Sequence, residues 1–235
     1  MDRQQSTELT ETAGQNQTLV IAIDGPSGSG KSSTSRGVAE RLGLQYLDTG
    51  AMYRAATWAV QQAGVDRTDS AAVAELVRRT DLGITLDPSG PAFSVDGTDV
   101  TTAIRAPEVS AAVSAVATNL EVRAELIARQ RQIIADARPG IVAEGRDITT
   151  VVAPDADLRL LLVADPEARV GRREAELAGK ADRAAVTDQV LRRDRDDSTV
   201  AVFTEAAEGV TVIDSTHLTL EQVIDTICGM VKELA

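Results

Sequence analysis

The chain has 235 residues, a formal net charge of −12, one cysteine and one histidine. This length suits one α/β domain with a substantial core, while the acidic balance argues against a nucleic-acid partner. The single Cys and the single His give poor support to a disulfide, a Cys/His zinc site or a His-centred triad.

No run in the sequence approaches the roughly 18 apolar residues of a membrane span, so no membrane partner is expected. The first 17 residues are polar and mixed in charge, and they lack the apolar centre of a signal peptide. We therefore expect a disordered tail at residues 1–17, a folded domain at residues 18–235 and a cytoplasmic location.

A glycine-rich loop follows the first predicted strand. The apolar, β-branched run at residues 19–23 predicts a buried parallel strand, and residues 32–42 predict a helix. Between them, Gly25-Pro26-Ser27-Gly28-Ser29-Gly30-Lys31-Ser32 satisfies the P-loop pattern G-x-x-x-x-G-K-[ST]. The glycines permit a tight turn with inward-pointing N–H groups, and the N-terminus of the helix adds partial positive charge for phosphates.

A strand, a P-loop and a helix in this order predict a site for a nucleoside triphosphate. Lys31 is expected to reach the β- and γ-phosphates, and the Ser32 hydroxyl is expected to ligate Mg²⁺. The residues assigned to ATP binding are Gly25, Pro26, Ser27, Gly28, Ser29, Gly30, Lys31, Ser32 and Ser33.

The rest of the chain alternates extended and helical patterns. Short extended segments around the hairpin dipeptide Asp96-Gly97 predict a small antiparallel sheet inserted into this alternation. The alternation itself predicts a parallel sheet covered by helices on both faces, with ligands at the carboxyl ends of its strands. The further predicted elements are strand 45–47, helices 51–63 and 70–80, the small sheet at 83–87, 92–95 and 98–101, helix 110–137 with a break near Asn119, strands 140–143 and 158–163, helix 166–177, strand 210–214 and helix 220–234.

The basic residues favour a small-molecule kinase over other P-loop proteins. Of the 24 basic residues, three are lysines (Lys31, Lys180 and Lys232) and the other 21 are arginines. An arginine side chain binds phosphate bidentately. The Asn/Thr-Lys-x-Asp element that reads guanine in GTPases is missing, and the acidic charge does not suit a helicase. Phosphoryl transfer needs alignment and charge neutralisation, and positioned arginines supply both without a catalytic His or Cys.

Several blocks of the sequence resemble those of bacterial cytidylate kinases, and they occur in family order from about residue 19 to the end of the chain. The blocks are Asp24 to Ser32, Leu47-Asp48-Thr49-Gly50-Ala51-Met52-Tyr53-Arg54, Glu144-Gly145-Arg146-Asp147-Ile148-Thr149-Thr150-Val151-Val152, Pro154-Asp155-Ala156, Arg192-Arg193-Asp194, Asp197-Ser198 and Ile213-Asp214-Ser215-Thr216. The resemblance implies a P-loop three-layer α/β/α fold with a central parallel sheet. It also implies an inserted nucleoside-monophosphate-binding subdomain that includes residues 83–115, and a short lid at about residues 169–195.

The resemblance further implies that the chain phosphorylates CMP and dCMP with ATP and Mg²⁺, in pyrimidine nucleotide metabolism. It implies catalytic roles for Lys31, Arg54, Arg146 and Arg173. The residues it assigns are Arg54 and Arg146 to the acceptor phosphate, Thr49, Arg123 and Asp147 to cytosine, Arg193 and Asp197 to the ribose hydroxyls, and Arg169, Arg172 and Arg173 to a lid over the ATP phosphates.

One departure from the family pattern affects the nucleoside pocket. Family members commonly carry an Arg three positions after the ribose-binding Asp, whereas Asp197 is followed by Ser198, Thr199 and Val200. The Ser-Pro-Leu block that follows in the family is replaced by Val202-Phe203-Thr204. This side of the pocket therefore loses a cation, for which either Arg192 or Arg195 would substitute, and we expect CMP specificity to rest on Asp147 and Arg123.

Some alternatives stay open at this point. Asp48 either serves the site or caps its helix, Glu144 either organises the water ligands of Mg²⁺ or has no such role, and Asp24 is either functional or structural. For the whole chain, the alternatives are a P-loop kinase with another small-molecule acceptor and a non-enzymatic nucleotide sensor. We expect a monomer, since no additional apolar face stands out in the sequence.

Overall fold

In a computed structural model, residues 18–177 and 183–234 are described. The predicted tail at residues 1–17 and a central part of the predicted lid, residues 178–182, lie outside the described residues. In the described part of the chain, no helix is long and apolar enough to cross a membrane.

Within the described residues, eight strands form two sheets. The strands are β1 (Leu19–Asp24), β2 (Gln45–Asp48), β3 (Leu82–Ile84), β4 (Phe93–Val95), β5 (Thr98–Asp99), β6 (Gly140–Gly145), β7 (Leu158–Val163) and β8 (Thr211–Asp214). The central sheet has the strand order β2-β6-β1-β7-β8, and every neighbouring pair in it is parallel. Strands β3, β4 and β5 form the small antiparallel sheet that the hairpin dipeptide predicts. The predicted α/β fold class is confirmed.

In the part of the chain that the structure describes, eight α-helices connect and cover the strands. They are α1 (Lys31–Leu42), α2 (Thr49–Gln62), α3 (Ser70–Arg79), α4 (Pro107–Ala117), α5 (Leu120–Asp136), α6 (Pro166–Leu177), α7 (Arg183–Asp197) and α8 (Leu220–Glu233). Short polar side chains cap the N-termini of several of these helices: Asp48 caps α2, Asp69 caps α3 and Asn119 caps α5. Thr219 and Gln222 form a reciprocal capping box at the start of α8.

The two faces of the central sheet bury separate apolar clusters. Successive side chains of a strand point to opposite faces, so Ile21 and Ile23 pack in a cluster with residues of α1 and α8. Ala22, between them, packs on the other face with Leu47 and with residues of α2 to α5. Strand β1 is therefore buried on both sides, as a central parallel strand should be.

The small sheet packs on helix α2. Ala51, Ala55 and Ala59 recur every fourth residue along one face of α2, and they form a cluster with Phe93 and Val95 of the small sheet. The small side chains of this stripe let the sheet lie close to the helix. The insertion is also tied to the edge of the central sheet, because the N–H group of Tyr46 donates to the carbonyl of Leu86 at 2.9 Å.

The structure differs from the predicted elements in a few places. The predicted break near Asn119 is confirmed, but α4 begins at Pro107 rather than residue 110, since proline fits the first helical position. Strand β3 ends at Ile84: the Thr85 N–H still donates to the carbonyl of Ala92, whereas Leu86 bonds to Tyr46 of the central sheet. The arginine-rich stretch after residue 183, for which no element is predicted, forms helix α7. A π-helical turn at Ile148–Val152 is also not predicted.

The Asp24 carboxylate fixes the turn that follows β6. Its two oxygens accept hydrogen bonds from the Ile148 N–H (2.9 Å), the Thr149 N–H (2.8 Å) and the Thr149 hydroxyl (2.7 Å). The residue is 1% exposed, and burial raises the pKa of its carboxyl group despite these bonds. Of its two predicted roles, Asp24 therefore takes the structural one.

We expect Asp24→Ala to destabilise the protein by at least about 2 kcal/mol, because three buried donors lose their acceptor. Urea denaturation measures this change. The matched control is Asp157→Ala, which removes an exposed carboxylate that accepts the Val20 N–H, and which should change stability by less than about 0.5 kcal/mol. Equal effects of the two variants would contradict the anchoring role of Asp24.

Candidate active site

The P-loop connects β1 to α1 in the predicted context, and its backbone requires glycine. Gly28 has a φ of +76°, and a Cβ atom there would lie 2.6 Å from the main-chain oxygen of Arg169. Gly30, with a φ of +90°, lies at the N-cap of α1. The Lys31 ammonium donates to the carbonyl of Pro26 at 3.2 Å, so the lysine folds back over the loop.

Two of the three predicted lid arginines contact the main chain of the P-loop. Arg169, which is 8% exposed, donates to the carbonyl of Ser27 at 3.1 Å. Arg172 donates to the carbonyl of Ser29 at 3.0 Å and to the Ser215 hydroxyl at 2.9 Å. These hydrogen bonds hold helix α6 against the P-loop. Arg173 lies in the same helix.

Each described arginine that is assigned to the acceptor nucleotide pairs with a carboxylate. Arg54 of α2 bonds to Asp48 at 2.9 Å, and both side chains are largely buried. Arg123 of α5 pairs with Asp147 in the turn after β6. The third pair, Arg146 with Asp197, joins that turn to helix α7.

Arg146 also bonds to the P-loop. Its guanidinium donates to the carbonyl of Gly25 at 3.0 Å and lies 3.6 Å from the carboxylate of Asp194. The ring of Phe203 lies under the guanidinium, with 4.4 Å between the guanidinium carbon and the ring centroid.

The remaining predicted pocket residues lie on α2 and α7. The Thr49 hydroxyl donates to the carbonyl of Glu144 at 2.7 Å, which holds the start of α2 against the end of β6. A side chain at Gly145 would clash with that hydroxyl, at 2.5 Å. Arg193 lies in α7, one turn before Asp197, but its side chain is outside the part of the chain that is described.

Two buried carboxylates meet beside the P-loop. Burial raises the pKa of the Glu144 carboxyl, and the negative charge of Asp48 adds to the shift, while Lys31 and a hydrogen bond from Ser32 offset only part of it. Burial also tends to raise the pKa of Asp48. There the charge of Arg54, helped by the Ala51 N–H, outweighs burial and brings the pKa below its ordinary value. The structure thus shows Asp48 both as a helix cap and as a partner of Arg54.

Burial likewise raises the pKa of the Asp147 carboxyl, and the charge of Arg123 together with its hydrogen bond offsets only part of that shift. Asp147 is 5% exposed. Its carboxylate and the Arg123 guanidinium therefore present an acceptor and a donor side by side in a largely dry environment, where hydrogen-bond recognition is strong.

Sequence reasoning missed three residues of this site. Asp194 accepts the Ser27 N–H at 3.0 Å and pairs with Arg169, the Tyr46 hydroxyl donates to Glu144 at 2.7 Å, and Phe203 packs on Arg146. Asp194 belongs to the block Arg192-Arg193-Asp194, and Phe203 belongs to Val202-Phe203-Thr204. A residue type alone, however, does not show which distant group the side chain contacts. Tyr46 stands in a predicted strand, where an aromatic residue is expected to be core.

With this geometry in place, the comparisons with known proteins agree with one another. The family model for cytidylate kinase matches residues 21–233. The chain is 59% identical to the cytidylate kinase of Cutibacterium acnes, over 91% of this chain and 96% of that relative. It is 50% identical to the cytidylate kinase of Nocardia farcinica, over 92% and 94% of the two chains.

Among solved structures, an uncharacterised protein from Eubacterium ventriosum is similar in fold. Its TM-score is 0.54 at 11% identity, and the match covers 92% of this chain and 99% of that one. At this identity the likeness concerns the fold alone.

The raised pKa of Glu144 leads to a test of stability against pH. A carboxyl group whose folded pKa lies above its unfolded value lowers stability once it ionises. Glu144→Gln keeps an oxygen for the Tyr46 hydroxyl and removes the charge. We therefore expect this variant, without ligands, to melt at a higher temperature than the wild type at pH 7. The gain should shrink as the pH falls through the folded pKa toward 4.5, the ordinary value.

Thermal unfolding followed by circular dichroism between pH 4.5 and 8 measures this difference. Glu121→Gln is the control, because Glu121 pairs with Arg78 at the surface and both side chains are about half exposed. Its melting temperature should follow that of the wild type throughout. A Glu144→Gln variant that is less stable at pH 7, or whose gain does not depend on pH, would contradict the assignment.

Proposed function

The chain belongs to the cytidylate kinase family, and from this premise we propose that it transfers the γ-phosphoryl group of ATP to CMP and dCMP, with Mg²⁺, forming ADP and CDP or dCDP. The observation that carries the proposal is the set of three carboxylate-held arginines beside the P-loop, Arg54, Arg123 and Arg146. A site that only bound ATP would have no use for a second cationic cluster aimed at another nucleotide.

On the donor side, the proposal assigns the ATP phosphates to the P-loop. Its main-chain N–H groups and the N-terminus of α1 favour anions, and Lys31 carries the adjacent positive charge. Phosphoryl transfer asks little covalent chemistry of the protein, so alignment and charge neutralisation are the main contributions. Arg169 and Arg172 stabilise the conformation of the P-loop, since both donate to carbonyls of the loop. Arg173 remains the proposed lid arginine for the transferred phosphate.

On the acceptor side, Arg54 and Arg146 are proposed to bind the phosphate of CMP. A planar guanidinium donates two parallel hydrogen bonds to a phosphate, which fixes orientation as well as charge. Asp48 and Asp197 hold these guanidiniums before substrate arrives. The arginines are therefore already positioned, and little reorganisation is left for the reaction step.

The base is proposed to lie against Arg123 and Asp147. Cytosine presents an exocyclic amine, which donates, beside a ring nitrogen and a carbonyl, which accept. A carboxylate and a guanidinium side by side match that pattern. Thr49, at the start of α2, completes the proposed contact with the ring. Asp197 and Arg193 are proposed to hold the ribose hydroxyls.

The residues beside Lys31 fit Mg²⁺. Ser32 and Glu144 supply oxygen atoms, which this cation prefers, and the mutual repulsion of Glu144 and Asp48 is relieved by positive charge. In the described ranges, no three His, Cys, Asp or Glu side chains cluster as a metal site, so phosphate oxygens and water would complete the coordination. Bound Mg²⁺ would neutralise charge on the β- and γ-phosphates.

The wider setting of the enzyme is also part of the proposal. Helices α6 and α7 are proposed as a lid that excludes water during transfer and so prevents loss of ATP to hydrolysis. We place the enzyme in the cytoplasm, as a monomer, in pyrimidine nucleotide metabolism.

The proposal is tested by ADP release from Mg·ATP with CMP, dCMP, UMP or AMP as the acceptor. We expect release with CMP and dCMP, with UMP and AMP far behind. Release with none of them would contradict the proposal. It would leave a different acceptor, or a nucleotide sensor that binds ATP without transfer.

A variant of Asp147 tests the reading of the base. A carboxylate only accepts, so it suits the amine of cytosine and repels the corresponding oxygen of uracil. The side-chain amide that Asp147→Asn introduces can rotate and donate. We therefore expect the ratio of kcat/KM for UMP to that for CMP to rise at least about tenfold, because a lost or gained hydrogen bond to a charged group is of that size.

The control for this test is Asp155→Asn, since Asp155 is exposed in the turn before β7. It should leave the ratio of the two kcat/KM values unchanged. If Asp147→Asn also left that ratio unchanged while lowering both activities, Asp147 would be only a partner of Arg123.

A further inference from the structure

The guanidinium of Arg146 is held on its edge and on its face. Along the edge, it contacts the Asp197 carboxylate, the carbonyl of Gly25 and, more distantly, the Asp194 carboxylate. Its face lies on the ring of Phe203, 4.4 Å from the centroid. The edge contacts to Asp197 and Gly25 occupy the Nε–H and one Nη1–H of the five N–H groups, and the ring contact occupies none of them.

Phe203 is a buried ring that lies outside the apolar core clusters of the described residues. It is 1% exposed and is the largest of the fully buried side chains. Its neighbour Val202 is 66% exposed, so the segment around it lies at the surface. The ring therefore turns inward from a surface segment and meets a charged group.

The backbone after α7 brings the ring to this position. The N–H groups of Val200 and Ala201 both donate to the carbonyl of Asp197, at 3.2 and 3.1 Å, so the chain turns directly after the helix. Asp197 and Phe203 thus reach the same guanidinium from the two sides of one turn. The carboxylate approaches the Nε edge and the ring approaches the face.

We propose that Phe203 is a positioning residue for Arg146: its ring fixes the plane of the guanidinium, so that the N–H groups not bonded to Asp197 and Gly25 can bind the CMP phosphate. The inference rests on the proposed function, because it assigns a role in binding CMP. The electron-rich face of an aromatic ring attracts a guanidinium and leaves its N–H groups available. An aliphatic side chain of similar size fills the space without this attraction.

Phe203→Leu, Phe203→Tyr and Ile227→Val together test the role of the ring. Ile227 of α8, which is 0% exposed, packs in the cluster with α1, so Ile227→Val reproduces the loss of buried apolar contacts away from the proposed site. We expect Phe203→Leu to lower kcat/KM for CMP about tenfold while KM for ATP changes less than about twofold, since a desolvated cation–π contact is of this size. Phe203→Tyr, which keeps the ring, should stay within about threefold of the wild type, and Ile227→Val should leave KM for CMP unchanged.

A spectroscopic measurement separates positioning from folding. The chain contains two phenylalanines, so labelling with 4-fluorophenylalanine gives two ¹⁹F resonances, and Phe203→Leu shows which of them belongs to Phe203. We expect CMP to shift the Phe203 resonance.

The outcomes distinguish the inference from the function on which it rests. A wild-type protein that does not phosphorylate CMP refutes the proposed function. A wild type that phosphorylates CMP, combined with wild-type kinetics of Phe203→Leu or with a Phe203 resonance that CMP does not move, overturns the role of Phe203 alone. Equal losses in Phe203→Leu and Ile227→Val also overturn it, because they would show a general effect of losing buried apolar contacts.

Discussion

Buried carboxylates at the ends of parallel strands are the constraint on which the rest of this site depends. Strands β1, β2 and β6 each bring an acid to the same edge of the sheet: Asp24, Asp48 and Glu144. A buried charge is costly unless it is paired or hydrogen-bonded. Each acid therefore has a partner from another element. Asp24 bonds to the turn after β6, Asp48 pairs with Arg54, and Glu144 accepts from Tyr46.

Helix α7 connects the two halves of the site. Asp194 and Asp197 are three residues apart, so they lie on one face of the helix. Asp194 accepts an N–H of the P-loop and pairs with Arg169, while Asp197 pairs with Arg146. The P-loop and Arg146, the proposed acceptor arginine, are thus both bonded to one helix.

The sequence allowed most of this architecture to be predicted, and the exceptions have physical reasons. The P-loop, the cap at Asp48 and the strand bearing Glu144 follow from local patterns of apolar, glycine and capping residues. Helix α7 was missed because it is largely charged and presents only a weak apolar stripe, so its position depends on contacts with the loop and with α6 rather than on core burial. The small sheet is shorter than predicted because Leu86 bonds to a strand from a distant part of the chain.

The pairing within the site could not be predicted for a similar reason. The resemblance assigned Arg54, Arg123 and Arg146 to a nucleotide, but which carboxylate each arginine faces depends on how the helices pack. Arg146 illustrates this, since its partners Gly25, Asp197 and Phe203 come from the P-loop, from α7 and from the turn after α7. No pattern along the sequence connects these positions.

The central claim is that the carboxylate-held arginines form the acceptor site, and a crystal structure with CMP and a non-hydrolysable ATP analogue tests it most directly. The account predicts the CMP phosphate on the guanidiniums of Arg54 and Arg146, with the cytosine edge against Arg123 and Asp147. CMP bound elsewhere, with the Arg54 and Arg146 pairs intact and free of phosphate, would contradict it.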